Sequence, residues 1–146
     1  MTPGASRDQA ARHRPPGEGD RGPSEGSETG TVDLARRLLA IRRLREAMLG
    51  PQFFSDPAWD MLLDLYVQTR RDRPVSVSTL CLSAAVPNTT ALRCLNGLVT
   101  AGLLVRRADP NDGRRAFVSF TPAAEESMRL LLARAAAELQ RAGESG

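Results

Sequence analysis

Pro87 constrains this chain more than any other single residue. Proline has no backbone N–H to donate and its ring collides with the preceding turn, so it stands at a break or in a first turn, not inside a helix. Yet the sequence is helical in pattern on both sides of it. Upstream, Ser76 is placed to cap a helix reaching about residue 85, with Leu80 and Ala84 turned inward. Downstream, a helix starting near residues 87–89 runs to about residue 101, with Ala91, Leu95, Leu98 and Val99 on its buried side. Gly102 then stands where a helix closes in the left-handed conformation. Two short helices joined by a tight turn, the second longer and polar at its start, form a helix-turn-helix pattern.

After Gly102 the period changes from helical toward alternating. LLVRRAD and RAFVSF are β-prone runs separated by Pro110, Asn111, Asp112 and Gly113, a cluster of turn residues, so an antiparallel hairpin is predicted. Thr121 caps and Pro122 opens a last helix over residues 122–142, with Met128, Leu131, Leu132, Ala135 and Leu139 as its apolar stripe. Two helices precede the motif. Residues 32–49 place Leu34, Leu38, Ile41, Leu44 and Met48 on one face, with Arg36, Arg37, Arg42, Arg43 and Arg45 mostly off it, and Gly50-Pro51 ends the run. The next helix starts after Asp56, a good cap followed by Pro57. Its stripe is Trp59, Leu62, Leu63 and Tyr66, read as core, and it stops near residues 70–73, before a very short strand at Pro74-Val75. Residues 1–31, rich in Gly, Pro, Ser and charge, read as a disordered tail, and residues 32–142 as one domain that is mainly α with a small β-hairpin.

A chain of 146 residues with 41% hydrophobic content has material for one core. Its apolar runs are too short for a membrane span, which needs roughly 20 residues, and the polar N-terminus has no signal-peptide core, so the expected location is cytoplasmic, without a membrane partner. Every basic residue is arginine. Residues 1–31 hold four arginines against five acids, leaving sixteen against twelve in the rest, so the folded part is the basic part. Arginine's planar fork suits phosphates and guanine edges, although an all-arginine composition also follows from codon bias. Cys81 and Cys94 read as small buried side chains rather than a disulfide scaffold, with a thiol switch as the alternative. His13 is the only histidine, so no metal constellation is expected. No glycine-rich phosphate loop, Ser-His-Asp set or lysine is present either, so neither enzyme activity nor a cofactor is expected.

The order helix, helix, short strand, helix, turn, helix, hairpin, helix, together with the segment DPNDGRRAFVSFT, resembles the MarR-type winged-helix transcriptional regulators. In that family an Asp-Pro-x-Asp-x-Arg stretch leads into a strand ending in Leu-Thr; here Phe120-Thr121 stands at the last pair. The segments FSDPAWDMLLDLYVQ and VSVSTLCLSAAVPNTTALR look like a subgroup of short bacterial winged-helix proteins. The resemblance implies a winged helix-turn-helix whose first and last helices build a homodimer and whose recognition helices enter major grooves. It implies a location on the nucleoid. Two departures stand out: Pro87-Asn88 replaces the Ser or Thr cap common in the family, and one terminal helix stands where many members have two. No residue pattern here matches that family's pocket for small aromatic acids, so any effector stays unassigned.

The candidate contacts to double-stranded DNA follow from this placement. Pro87, Asn88, Thr89, Thr90 and Arg93 occupy the start of the recognition helix, where side chains face base edges. Asn88 suits adenine, a threonine methyl suits thymine, and Arg93 suits guanine or phosphate; the alternative for Asn88 and a threonine is simple capping. Arg114 and Arg115 point to opposite faces of the hairpin. Arg114 matches the family's wing arginine and is expected at the minor groove or a flanking phosphate, with Asp112 pinning that arginine or the turn backbone. Arg106 and Arg107 read as solvated strand positions or weak phosphate contacts. The competing function is a protein-interaction module that keeps the winged-helix shape within a transcription or chromosome-associated complex.

Overall fold

In the computed structural model, residues 25–50 and 54–145 are described, the side chains from Glu28 onward. The elements are α1 (Glu25–Leu49), α2 (Pro57–Thr69), β1 (Val75–Ser76), α3 (Val77–Ser83), α4 (Asn88–Thr100), β2 (Leu104–Asp109), β3 (Asp112–Phe120) and α5 (Pro122–Glu144). Each boundary has a local cause. Asp56 accepts the Trp59 N–H at 3.3 Å ahead of Pro57, Ser76 accepts the Thr79 N–H at 3.1 Å, and Thr121 accepts the Ala124 N–H at 3.3 Å ahead of Pro122. At the end of α4, Gly102 takes φ +78° and its N–H reaches the Val99 carbonyl. The Leu103 N–H reaches that of Leu98, each at 3.0 Å, in the paired closure that satisfies the last turn.

The sheet is antiparallel in the order β1-β3-β2. Val75 and Ser76 pair with Val118 and Phe117, and Leu104 pairs with Phe120 down to Asp109 opposite Asp112. The hairpin turn is therefore only residues 110–111, tighter than the four-residue cluster in the sequence. Asp109 Oδ1 takes the Asn111 N–H at 2.8 Å, and a register shift falls between Ala108 and Asp109. The base of the wing is tied to both flanking helices by one hydroxyl: Thr121 Oγ1 caps α5 and donates to the Gly102 carbonyl at 2.8 Å.

The core is built from Met61, Leu63, Leu65 and Tyr66 of α2, Leu80 of α3, Leu95 of α4, Leu104 of β2 and Leu132 of α5, all essentially inaccessible. Trp59 and Leu62 pack against it half-buried. The expectations for α3, α4 and the hairpin agree with these elements. Those for the flanking helices need correction. Helix α1 starts at Glu25, so seven residues assigned to the tail are helical; residues 1–24 and His13 with them lie outside the described residues.

The inward stripe on α1 is also only half right. Leu34 is buried and Leu38 packs against the core, but Ile41, Leu44 and Met48 are 61%, 59% and 74% exposed. The cause is electrostatic. Asp60, on the first turn of α2, is 1% exposed, and a carboxylate that deep requires a partner. Arg42 Nε donates to its Oδ1 and Arg43 Nη1 lies 3.9 Å from its Oδ2, so the far half of α1 turns its arginines inward and its apolar residues out. On α5, Met128 and Leu132 are buried as expected, whereas Leu131 and Leu139 stay exposed.

Candidate nucleic-acid interface

Pro87 is the N-cap residue of α4 and Asn88 its first helical residue, with no side-chain bond capping the helix. The capping alternative for Asn88 therefore fails: proline has no side-chain acceptor, and Asn88 already lies inside the helix. Pro87, Asn88, Thr89, Thr90 and Arg93 are all exposed. Helical spacing sorts them. Asn88, Leu92 and Asn96 follow at intervals of four along the side that meets the hairpin, while Thr89 and Thr90 share the outward side with Arg93.

Between that side of α4 and the hairpin lies an open cleft of about 530 Å³, bordered by Cys81, Asn88, Leu92, Arg106, Arg114 and Arg115. Strand parity explains its arginines. Leu104, Arg106, Val118 and Phe120 share one face of the sheet with Arg114; nearest the core that face is buried, and toward the turn it carries guanidiniums over the start of α4. Arg106 Nη1 donates to Asn96 Oδ1 at 3.3 Å, linking the hairpin to α4. Arg106 is thus brought into the site, while Arg107, on the other face, does not border the cleft. Plain alternation across the two-residue turn would pair Arg114 with Arg107; the register shift between Ala108 and Asp109 is what puts Arg106 on this face.

Asp112 does what a turn carboxylate is suited to: its Oδ1 accepts the Arg114 backbone N–H at 3.0 Å, leaving the guanidinium unengaged. Arg115 borders the cleft as well, but its guanidinium lies over the Phe117 ring, 5.2 Å from the centroid. Among the described residues neither Arg93 nor Arg114 has an ion pair or a side-chain hydrogen bond. The site is rich in positive charge that nothing inside the protein neutralises.

The two thiols are free. Burial pushes the Cys81 thiol up from its ordinary value, opposed in part by Arg106, and burial, then Asp56, pushes Cys94 up. A protonated thiol is a poor nucleophile, so this setting does not favour the thiol-switch alternative. Among the described residues no cluster of His, Cys, Asp or Glu could hold a metal ion, and no helix is long and apolar enough to cross a membrane.

Residues 59–124 match the family described as winged helix DNA-binding domain. No curated protein matches the sequence significantly. Among solved structures, a MepR variant from S. aureus superposes with a TM-score of 0.52 at 15% identity, covering 77% of this chain and 82% of that one. The transcriptional regulator Tm0710 from Thermotoga maritima gives 0.48 at 21% identity over 78% and 79% of the two chains. A probable transcriptional regulator from Pseudomonas aeruginosa gives 0.44 at 26% identity over 77% and 80%. The fold is a winged helix: five helices with a small three-stranded antiparallel sheet.

Proposed function

We propose, from the premise that residues 59–124 form a winged-helix DNA-binding domain, that this protein is a MarR-type transcriptional regulator binding double-stranded DNA as a homodimer. The recognition helix α4 enters the major groove with Asn88, Thr89, Thr90 and Arg93 at base edges and Pro87 at the entry. The wing from Asp109 to Arg115 reaches the minor groove with Arg114 leading, and Asp112 holds its turn. Arg106 and Arg115 supply phosphate contacts from the cleft between them.

The observation that carries this reading is the pair of unneutralised arginines, Arg93 on the exposed outward side of α4 and Arg114 at the border of the arginine-lined cleft. Desolvating phosphates against guanidiniums that already serve internal carboxylates would gain little; these two have no such partner. The dimer rests on α1 and α5. Ile41, Leu44, Met48 and Leu49 are more than half exposed on α1, as is Leu139 on α5. So much aliphatic surface on the two flanking helices is what a second copy would cover.

The test is equilibrium binding to duplexes selected from random DNA, titrated against salt. Affinity should fall steeply as salt rises, and the selected sequences should be inverted repeats with half-sites about one helical turn, roughly 10 base pairs, apart. Binding to every duplex that is absent or indifferent to salt would sink the proposal.

A further inference from the structure

Arg43 is a residue that neither the helix-turn-helix pattern nor the charge count singles out, yet it touches three elements. From the middle of α1 its Nη2 donates to the Ser83 carbonyl, the last residue of α3. Its Nη1 lies 3.3 Å from Glu46 Oε2 on its own helix and 3.9 Å from Asp60 Oδ2 on α2. That second carboxylate oxygen is buried with no hydrogen-bond partner, and the Arg43 guanidinium lies on its side of a carboxylate whose other oxygen Arg42 holds.

The place it holds is the turn itself. Ser83 is followed by Ala84, the C-cap of α3, and by Ala85 at φ +52°, a left-handed conformation that a residue with a Cβ adopts only under constraint. Two residues later Pro87 opens α4. Arg43 therefore grips the backbone of the helix-turn-helix at the point where the direction of the recognition helix is decided. It does so from the helix whose opposite side carries the exposed Ile41, Leu44 and Met48.

We infer that Arg43 is a positioning residue for DNA reading, fixing the recognition helix relative to the dimer helix α1 and so setting which half-site spacing the dimer accepts. The inference rests on the proposed homodimeric regulator. Two reading heads held at a fixed separation bind cooperatively only to half-sites at the matching spacing. Loosening the hold lowers the effective concentration of the second head at the right spacing and raises it at wrong ones. A residue that served stability alone would weaken all sites alike.

The experiment compares the full-length wild type with Arg43→Ala and Arg43→Lys on three duplexes: the inverted repeat the wild type selects, the same repeat with one base pair added to its spacer, and a single half-site. For Arg43→Ala, affinity for the selected repeat should fall about tenfold, the scale of one lost hydrogen bond to a charged group. Half-site binding should be little changed and the preference between the two spacers should flatten. Arg43→Lys, a point charge that cannot fork to two acceptors, should fall between. If Arg43→Ala does not fold, Arg43→Lys carries the comparison, supported by amide exchange, which should quicken at residues 84–88 and not in α2 or α5. An unchanged spacer preference, or a loss equal on the half-site and the repeat, overturns the inference while leaving the regulator intact. A wild type that binds none of the duplexes overturns the regulator and this inference together.

Discussion

Two pairs of adjacent arginines meet opposite fates in this molecule. Arg42 and Arg43 on α1 are folded inward onto Asp60, with further bonds from Arg42 to the Asp56 carbonyl and from Arg43 to that of Ser83. The guanidiniums of Arg114 and Arg115 on the wing meet no carboxylate among the described residues; the first has no side-chain partner there and the second lies over an aromatic ring. Nothing in the dipeptide Arg-Arg distinguishes them. The difference is a counter-charge 18 residues away in sequence, buried where it must be neutralised. An arginine-rich composition therefore says little about ligand binding until the internal carboxylates have claimed their partners. What remains unclaimed marks the surface available to an anion.

The comparison breaks most directly at Asp60. Asp60→Ala removes the acceptor and leaves Arg42, whose side chain is 11% exposed, without its partner; stability should fall by about 3 kcal/mol, measured by denaturant unfolding. A loss below about 0.5 kcal/mol, the level of an ordinary surface change, would mean that the inward pair is no more committed than the wing pair. The converse is Arg114→Ala. Stability should be unchanged within about 0.5 kcal/mol, while affinity for the selected duplex drops about tenfold and the salt dependence shallows by about one phosphate contact. A variant that unfolds instead would show Arg114 to be structural, and the contrast would collapse.

How far the sequence can be read depends on how local the cause is. Pro87, Gly102 and the Thr121-Pro122 pair act within one turn of their own position, and the breaks and caps fall where those residues predict them. The hairpin follows from its turn residues for the same reason. The orientation of α1 does not, because a 3.6-residue period registers that a face is apolar without saying whether the chain's own core or another molecule covers it. Leu34 and Ile41 look alike in sequence; only the Arg42–Asp60 contact between helices separates them. The early start of α1 is non-local too: buried Thr31 bonds the Tyr66 hydroxyl at 2.9 Å, an anchor 35 positions away that composition cannot show. On the wing, Arg106 was out of reach of the sequence, because the register shift at Ala108 and Asp109 decides which of Arg106 and Arg107 shares a face with Arg114. The bond from Arg106 to Asn96 depends on how α4 lies against the sheet.

A smaller effect sharpens the contrast at the turn that the inward pair holds. Ala85 sits at φ +52°, where glycine has no steric penalty, and its side chain is exposed, so Ala85→Gly removes strain at no cost in packing. The substitution also widens the conformations open to the unfolded chain, which opposes the gain, so the net stabilisation should be at most about 1 kcal/mol.

The smallest effect belongs to Cys81, which lies in the wing cleft but is governed by burial. Its thiol titrates above its ordinary value in the fold, so the folded state holds the proton more tightly than the unfolded one. That contribution to stability is complete below the ordinary thiol pKa and is lost as pH rises through the raised one. Stability should therefore decline at alkaline pH in the wild type and decline less in Cys81→Ala, with the two compared by unfolding at each pH. If both decline together, Arg106 offsets burial at this thiol. Cys81 would then belong with the charged wing, not with the neutral interior on which α3 and α4 pack.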